Sequence, residues 1–145
     1  MKYDKIKYYR LNEETKEEIL KKIIKTIQNN DKIKLAYVFG SFIRRNTFRD
    51  IDIAIYAAPQ LTFEEFLKLG TEIELKTGIQ IDLLQLQDLN PKLKLKILTK
   101  GKPLIIKSNE LHNRVISQSI SEIQDYEWKY CCSDLLSSEE GEIWK

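Results

Sequence analysis

The sequence is poor in the residues that build disulfide frameworks and zinc sites, since its 145 residues include two cysteines and one histidine. Cys131 and Cys132 are adjacent, so they cannot form the framework of a disulfide-rich domain, and we expect two free thiols. His112 has no cysteine or histidine partner at metal-ligand spacing. No nucleophile-elbow motif accompanies it either, which argues against a Ser-His-Asp hydrolase.

Long apolar runs and an excess of one charge are also missing. No run approaches the roughly 20 apolar residues of a membrane span, and the first residues lack the apolar core of a signal peptide. With 24 basic and 22 acidic residues the net charge is +2, which argues against a general nucleic-acid-binding surface. The composition is typical of one soluble domain. We therefore expect a cytoplasmic protein without membrane or direct nucleic-acid contacts.

The segment from Ala36 to Tyr56 contains a pair of acids in a strand-like pattern. Asp50 and Asp52 alternate with isoleucines at period two, which in a strand places both carboxylates on one face. Two such charges about 4 Å apart repel by roughly 4 kcal/mol in a surface-like dielectric. A cation reverses the sign of that interaction, and oxygen ligands favour Mg²⁺ or Mn²⁺. Taken alone, the pair equally fits an edge strand with its acids in water.

A Gly-Ser pair precedes these acids and follows an apolar run. A small turn at Gly40-Ser41 lets backbone N–H groups and the Ser41 hydroxyl approach a phosphate, particularly if a short helix begins at Ser41. Arg44 and Arg45 follow within one turn, and arginine suits polyphosphate oxygens. The order of strand, Gly-Ser, arginine and paired acids therefore indicates a nucleotide site.

The flanking sequence predicts alternating helices and strands. Asn12 is placed to cap a first helix that ends near residues 29–30. The capping box Thr62-x-x-Glu65 begins a second helix, which runs to about Lys76 and stops at Gly78. Strands are expected at about 33–39, 50–56, 79–84 and 104–106. The buried side of the second helix is expected to carry Phe63, Phe66, Leu67 and Ile73.

The second half of the chain supplies a third acid and two further helices. Asp82 lies in the otherwise apolar strand at 79–84. Pro91 suits the first turn of a helix that ends before Gly101. Ser108 is placed to cap a helix from Asn109 to about Tyr130. Aromatic residues continue this helix, and they either belong to the core or form a surface that binds another protein: Tyr126, Trp128 and Tyr130.

The pattern Gly40-Ser41-x-x-Arg44 … Asp50-x-Asp52 resembles the nucleotidyltransferases of the DNA polymerase β superfamily. The short chain is similar to the stand-alone minimal nucleotidyltransferases (MNT), many of which are antitoxins paired with HEPN-domain toxins. The resemblance covers about residues 33–106. Two positions depart from the family, because Arg45 and Arg49 stand where glycine and serine are common.

The resemblance implies an α/β, polymerase β-like nucleotidyltransferase fold with a short mixed sheet packed by helices. We expect this domain in residues 1–107, followed by a C-terminal helix and polar tail at 108–145. Two Mg²⁺ ions, or Mn²⁺, are implied as cofactors and ATP as donor substrate. The implied catalytic and metal-binding residues are Asp50, Asp52 and Asp82. The implied nucleotide-binding residues are Gly40, Ser41 and Arg44.

The implied activity is transfer of AMP from ATP to a tyrosine hydroxyl of a HEPN toxin, which neutralises the toxin. One alternative is an antitoxin with a weak or inactive site that neutralises the toxin by binding alone. A small-molecule nucleotidyltransferase is disfavoured because no second substrate domain is evident. A nucleic-acid polymerase is disfavoured because the chain has no room for a template-binding domain. The C-terminal helix is the expected surface for homo- or hetero-oligomers.

Overall fold

A computed structural model gives the structure of the protein and describes residues 9–137. Four strands form a mixed sheet in the order β5-β4-β2-β6. Strand β2 pairs antiparallel with β4 and β6, whereas β4 and β5 are parallel. A separate antiparallel ribbon joins β1 and β3. The strands are β1 (Tyr9–Arg10), β2 (Ile33–Phe39), β3 (Thr47–Phe48), β4 (Ile51–Ala57), β5 (Ile81–Gln85) and β6 (Lys102–Ile106).

Within residues 9–137, the helical elements are five α-helices and one 3-10 turn at Leu86–Asp88. The helices are α1 (Glu13–Gln28), α2 (Ser41–Arg44), α3 (Phe63–Thr77), α4 (Pro91–Lys100) and α5 (Asn109–Ser137). The predicted caps are confirmed: the Asn12 carboxamide accepts from the Thr15 N–H at 2.8 Å, and Thr62 closes a capping box with Glu65. Gly78 ends α3 in the left-handed conformation. Local sequence therefore sets the helix boundaries.

The sheet is covered on both faces, because alternate residues of its central strands enter two different cores. Ala36 and Val38 of β2 pack with α1 and α3, together with the fully buried isoleucines of β4. Leu35 and Tyr37 of β2 pack with Ala54, α4 and the start of α5. Since strand side chains alternate, the even-numbered positions of β4 share the face of Ala54. Asp52 is one of these positions and therefore lies on the α4 side.

The predicted buried side of α3 is wrong at two positions. Phe63 is 75% exposed and Leu67 is 52% exposed, whereas Leu69 and Ile73 are buried against the sheet. Phe63 and Leu67 are four residues apart and form one row on the helix. That row is rotated toward solvent, because the contact with α1 and β5 uses the row of Phe66, Leu69 and Ile73. Hydrophobicity alone did not indicate which of the two apolar rows faces inward.

Helix α5 begins as part of the fold. Val115 is buried in the core beside α4, and the Tyr37 hydroxyl of β2 forms a hydrogen bond with Nδ1 of His112. Burial raises the pKa of Tyr37 to about 12. The Ser108 cap is confirmed, since its hydroxyl accepts from the Leu111 N–H at 3.1 Å. The domain boundary between residues 107 and 108 stays a prediction.

The proposed aromatic surface on α5 concerns side chains at 126 and 128–137, which lie outside the described residues. It therefore stays a prediction, as do the free thiols of Cys131 and Cys132. Between residues 9 and 137, none of the helices combines the length and apolarity needed to cross a bilayer.

We expect Leu69→Ala to destabilise the fold by about 2–5 kcal/mol, because it removes buried contacts and leaves a cavity. The matched control on the same helix is Leu67→Ala, whose free energy of unfolding should change by less than about 0.5 kcal/mol. Urea unfolding of both variants measures the difference. Equal destabilisation would contradict the orientation of α3.

Candidate functional site

Two of the three predicted acids, Asp52 and Asp82, meet at one end of the β4–β5 pair, and Asp50 lies nearby. Asp52 and Asp82 are direct partners in the parallel register of these strands. Their carboxyl groups are close enough to share a hydrogen bond when one of them is protonated. Asp50 lies one residue before β4, close enough for its charge to act on Asp52. The strand register thus brings together residues that are 30 positions apart in sequence.

The environment of Asp52 disfavours its ionised form. Burial raises the pKa of Asp52 to about 6, and the charges of Asp50 and Asp82 and the hydrogen bond with Asp82 act in the same direction. The charge of Arg49 acts in the opposite direction. A hydrogen bond between two carboxyl groups requires one of them to carry a proton. A proton on Asp52 relieves this repulsion, and a cation bound beside the two carboxyl groups would do the same.

The donor set fits the divalent cation that the sequence implied. Carboxylate oxygens are the ligands that Mg²⁺ and Mn²⁺ prefer, and a cation between Asp52 and Asp82 would replace the shared proton. Within residues 9–137, no three acidic, cysteine or histidine side chains are already gathered as a complete ligand set. Two carboxyls are in contact, and Asp50 is the nearby third.

Gly40 brings the backbone of the preceding strand against Asp52. Phe39 is the β2 partner of Asp52, so the turn at Gly40 begins directly beside that carboxyl group. The residue has φ of +82°, a conformation that side chains disfavour. A Cβ built there would overlap Oδ2 of Asp52 and lie 3.2 Å from its Cγ. Only glycine fits this position, and the predicted short helix α2 then begins at Ser41.

Lys16 of α1 holds the α2 segment through its backbone carbonyls, and this role was not predicted from the sequence. Its side chain is buried, and its ammonium group donates to the carbonyls of Phe42 at 2.7 Å and Arg45 at 2.8 Å. The same nitrogen lies 5.3 Å and 5.7 Å from the ring centres of Phe42 and Phe48. A four-residue helix leaves its last carbonyls unpaired, and a cation at that end is favourable. Lys16 therefore fixes the segment between Gly40 and Asp50.

A cavity of about 330 Å³ lies between this segment and α4. Gly40, Arg44 and Asp52, all predicted site residues, are on its wall, together with Lys96 and Lys100. The two lysines were missed, although their spacing of four residues places them on one face of a helix. Its apolar lining consists of Phe39, Ile43, Leu93 and Ile97. Ser41, Asp50 and Asp82 do not line it.

Known proteins share both sequence and fold with this chain. Residues 21–110 match the family described as Polymerase beta, Nucleotidyltransferase. Protein adenylyltransferase MntA of Shewanella oneidensis is 34% identical over 86 residues, which are 57% of this chain and 62% of that protein. The chain thus spans less than two thirds of the length of this curated relative.

Two solved structures align along almost their whole chains. One is a toxin-antitoxin structure with AMP-PNP, with a TM-score of 0.66 and 28% identity, covering 81% of this chain and 98% of that chain. The other is a tri-AMPylated Shewanella oneidensis HEPN toxin in complex with an MNT antitoxin. It has a TM-score of 0.65 and 27% identity, covering 83% of this chain and 98% of that chain. The predicted fold class is confirmed.

We expect Asp52→Asn to stabilise the protein in the absence of divalent cations. The pKa of Asp52 is higher in the folded state than its ordinary 3.8, so the folded state binds the proton more tightly. Stability is therefore lost as the pH rises through about 6. The upper limit is about 3 kcal/mol, which screening at a partly exposed carboxyl reduces.

Melting temperatures in EDTA at about pH 8 and about pH 4 measure this effect, because the advantage of the variant should disappear where Asp52 is protonated. The control is Asp31→Asn, which changes an exposed acid away from the site. A variant less stable than the wild type at the higher pH would contradict the repulsion of Asp52 by Asp50 and Asp82.

We expect Lys16→Met to destabilise the protein, because it leaves two carbonyls without their donor at a cost of about 1–3 kcal/mol each when buried. Lys21→Met, on the exposed side of the same helix, should have little effect. Chemical denaturation of the two variants provides the comparison. If both unfold at the wild-type denaturant concentration, Lys16 does not hold α2.

Proposed function

Because the chain belongs to the polymerase beta nucleotidyltransferase family and resembles its MNT antitoxins, we propose that it transfers AMP from ATP to a tyrosine hydroxyl of a cognate HEPN toxin. The observation that carries this proposal is the contact between Asp52 and Asp82 beside Gly40. These residues combine a carboxylate site with a close backbone approach, as transfer from a nucleoside triphosphate requires. Modification of the toxin then neutralises it.

The relatives support both the donor and the acceptor. The curated relative is named a protein adenylyltransferase, and one similar structure contains AMP-PNP, an analogue of ATP. In another, the HEPN toxin bound to the antitoxin carries AMP. A reaction that uses ATP and acts on a partner toxin belongs in the cytoplasm, and we place this protein there.

The reaction is an in-line displacement at the α-phosphorus of ATP. The phenolic oxygen of the acceptor tyrosine forms a bond to that phosphorus, while the bond from phosphorus to the bridging oxygen of pyrophosphate breaks. The phenolic proton passes to a carboxylate, and Asp82 is the exposed member of the acidic pair. The products are an AMP ester on the toxin and pyrophosphate.

Asp50, Asp52 and Asp82 would hold two Mg²⁺ ions, or Mn²⁺. Such a pair, when bound, stabilises the charge on the attacking and leaving oxygens. The three side chains themselves fix where the α-phosphate can lie, because Asp52 is held between β2 and β5. Asp50, one residue before β4, would complete this set of carboxylate ligands.

The triphosphate would lie along the turn that follows β2. Gly40 allows the phosphate chain to approach the backbone, and the Ser41 hydroxyl donates to a phosphate oxygen. Arg44 would offset the charge of the departing pyrophosphate. On the toxin, the new ester adds negative charge and bulk, which blocks the approach of an RNA substrate.

The test mixes purified toxin with this protein, ATP and Mg²⁺, and weighs the toxin by intact mass spectrometry. We expect added mass in whole AMP units, absent with Asp52→Asn and retained with Asp31→Asn. The loss has a physical reason, since an amide cannot replace the charge of a carboxylate toward a cation.

A toxin neutralised at unchanged mass would favour the other candidate, an antitoxin that acts by binding alone. In that case the Asp52→Asn variant should protect cells from the toxin as well as the wild type does. Loss of both modification and protection in this variant supports the enzyme.

A further inference from the structure

The cavity beside α4 lies on the side of Asp52 opposite Asp82. The strand order β5-β4-β2-β6 places Asp82 on the strand to one side of Asp52. The cavity touches Gly40 at the end of β2 and Gly101 before β6, on the other side. In an in-line reaction the attacking and leaving groups occupy opposite sides of the phosphorus. If the acceptor approaches near Asp82, the leaving group departs toward this cavity.

The charges around the cavity are predominantly positive. Arg44, Lys96 and Lys100 line it, and Asp52 is the sole acid among the lining residues. Within residues 9–137, no ion pair involves any of the three cations. The side chains of all three are exposed. The cavity thus has an uncompensated positive potential toward a ligand.

The other lysines of α4 have a different environment. Lys92 pairs with Glu127 at 3.7 Å, and Lys94 pairs with Glu122 at the same distance, both on α5. The lysines in the N-terminal half of α4 are therefore neutralised by the neighbouring helix, and Lys96 and Lys100 in its C-terminal half are not. Lys96 and Lys100 are therefore available to contact an anionic ligand in the cavity.

The apolar lining increases the effect of these charges. Ile97 is buried, and Phe39, Ile43 and Leu93 are partly buried in the same wall. Low-polarity walls concentrate the field of nearby charges and raise the local concentration of an oppositely charged ligand. Lysine ammonium groups bind phosphate as point charges with three donors each. The cavity therefore suits a flexible anion with several charged oxygens.

We propose that Lys96 and Lys100, with Arg44, bind the β- and γ-phosphates of a nucleoside triphosphate and then the departing pyrophosphate. The inference rests on the proposed function for the identity of the leaving group. Cleavage at the α-phosphorus leaves an additional negative charge on pyrophosphate, and the two ammonium groups stabilise it there. Lys96 and Lys100 bind the phosphate tail, and the binding of the nucleoside does not depend on them.

The experiment measures binding to the Lys96→Gln/Lys100→Gln double variant by calorimetry in Mg²⁺ buffer. The probes are AMP-PNP, inorganic tripolyphosphate and AMP. We expect affinity for AMP-PNP and tripolyphosphate to fall about tenfold or more, and affinity for AMP to stay unchanged. The matched control is Lys21→Gln/Lys25→Gln, which removes the same charge at the same spacing from the exposed side of α1.

Unchanged affinity for tripolyphosphate in the α4 variant would overturn the inference, and so would an equal loss for AMP and AMP-PNP. A wild-type protein that binds none of the polyphosphate probes would also overturn it. The proposed function fails separately, if the wild type binds AMP-PNP with the expected dependence on Lys96 and Lys100 and yet adds no mass to the toxin.

Discussion

The contact between the carboxyl groups of Asp52 and Asp82 is the constraint around which the site is arranged. Two acids in contact oppose each other, and the strand register still holds them together because the isoleucines that alternate with Asp52 are fully buried. Moving β4 by one residue would turn those isoleucines out of their core and onto the opposite face of the sheet. The hydrophobic core therefore stabilises a polar arrangement that is unfavourable by itself, which is a common property of functional sites.

The structural features predicted from sequence are those with local causes. A cap such as Asn12 or Thr62 acts within one helical turn, and strand alternation placed Asp52 on the face that it occupies. Lys16 could not be predicted in this way, since its partners lie 26 and 29 residues away. On an isolated amphipathic helix, a lysine is expected to face water. Phe63, in contrast, was predicted to be buried and is exposed. The sequence of α3 contains two apolar rows, and packing against distant elements decides which row faces the core.

Helix α4 shows how one short element can serve packing and binding together. Ile97 and Leu98 attach it to the sheet, and its lysines divide into a pair that contacts α5 and a pair that faces the cavity. Position along the helix separates these roles, since the lysines paired with α5 lie in its N-terminal half and the lysines of the cavity in its C-terminal half. A helix with ten residues thereby joins the C-terminal helix to the edge of the site.

The two hydrogen bonds from Lys16 to the α2 segment have a thermodynamic consequence for ligand recognition. A loop that is held in place by its own protein has little conformational entropy left to lose when a ligand arrives. The favourable contacts of a bound phosphate then appear almost fully as affinity. Because the ammonium group is internal to the chain, this preorganisation persists between successive ligands, and each new molecule meets a binding surface that is already formed.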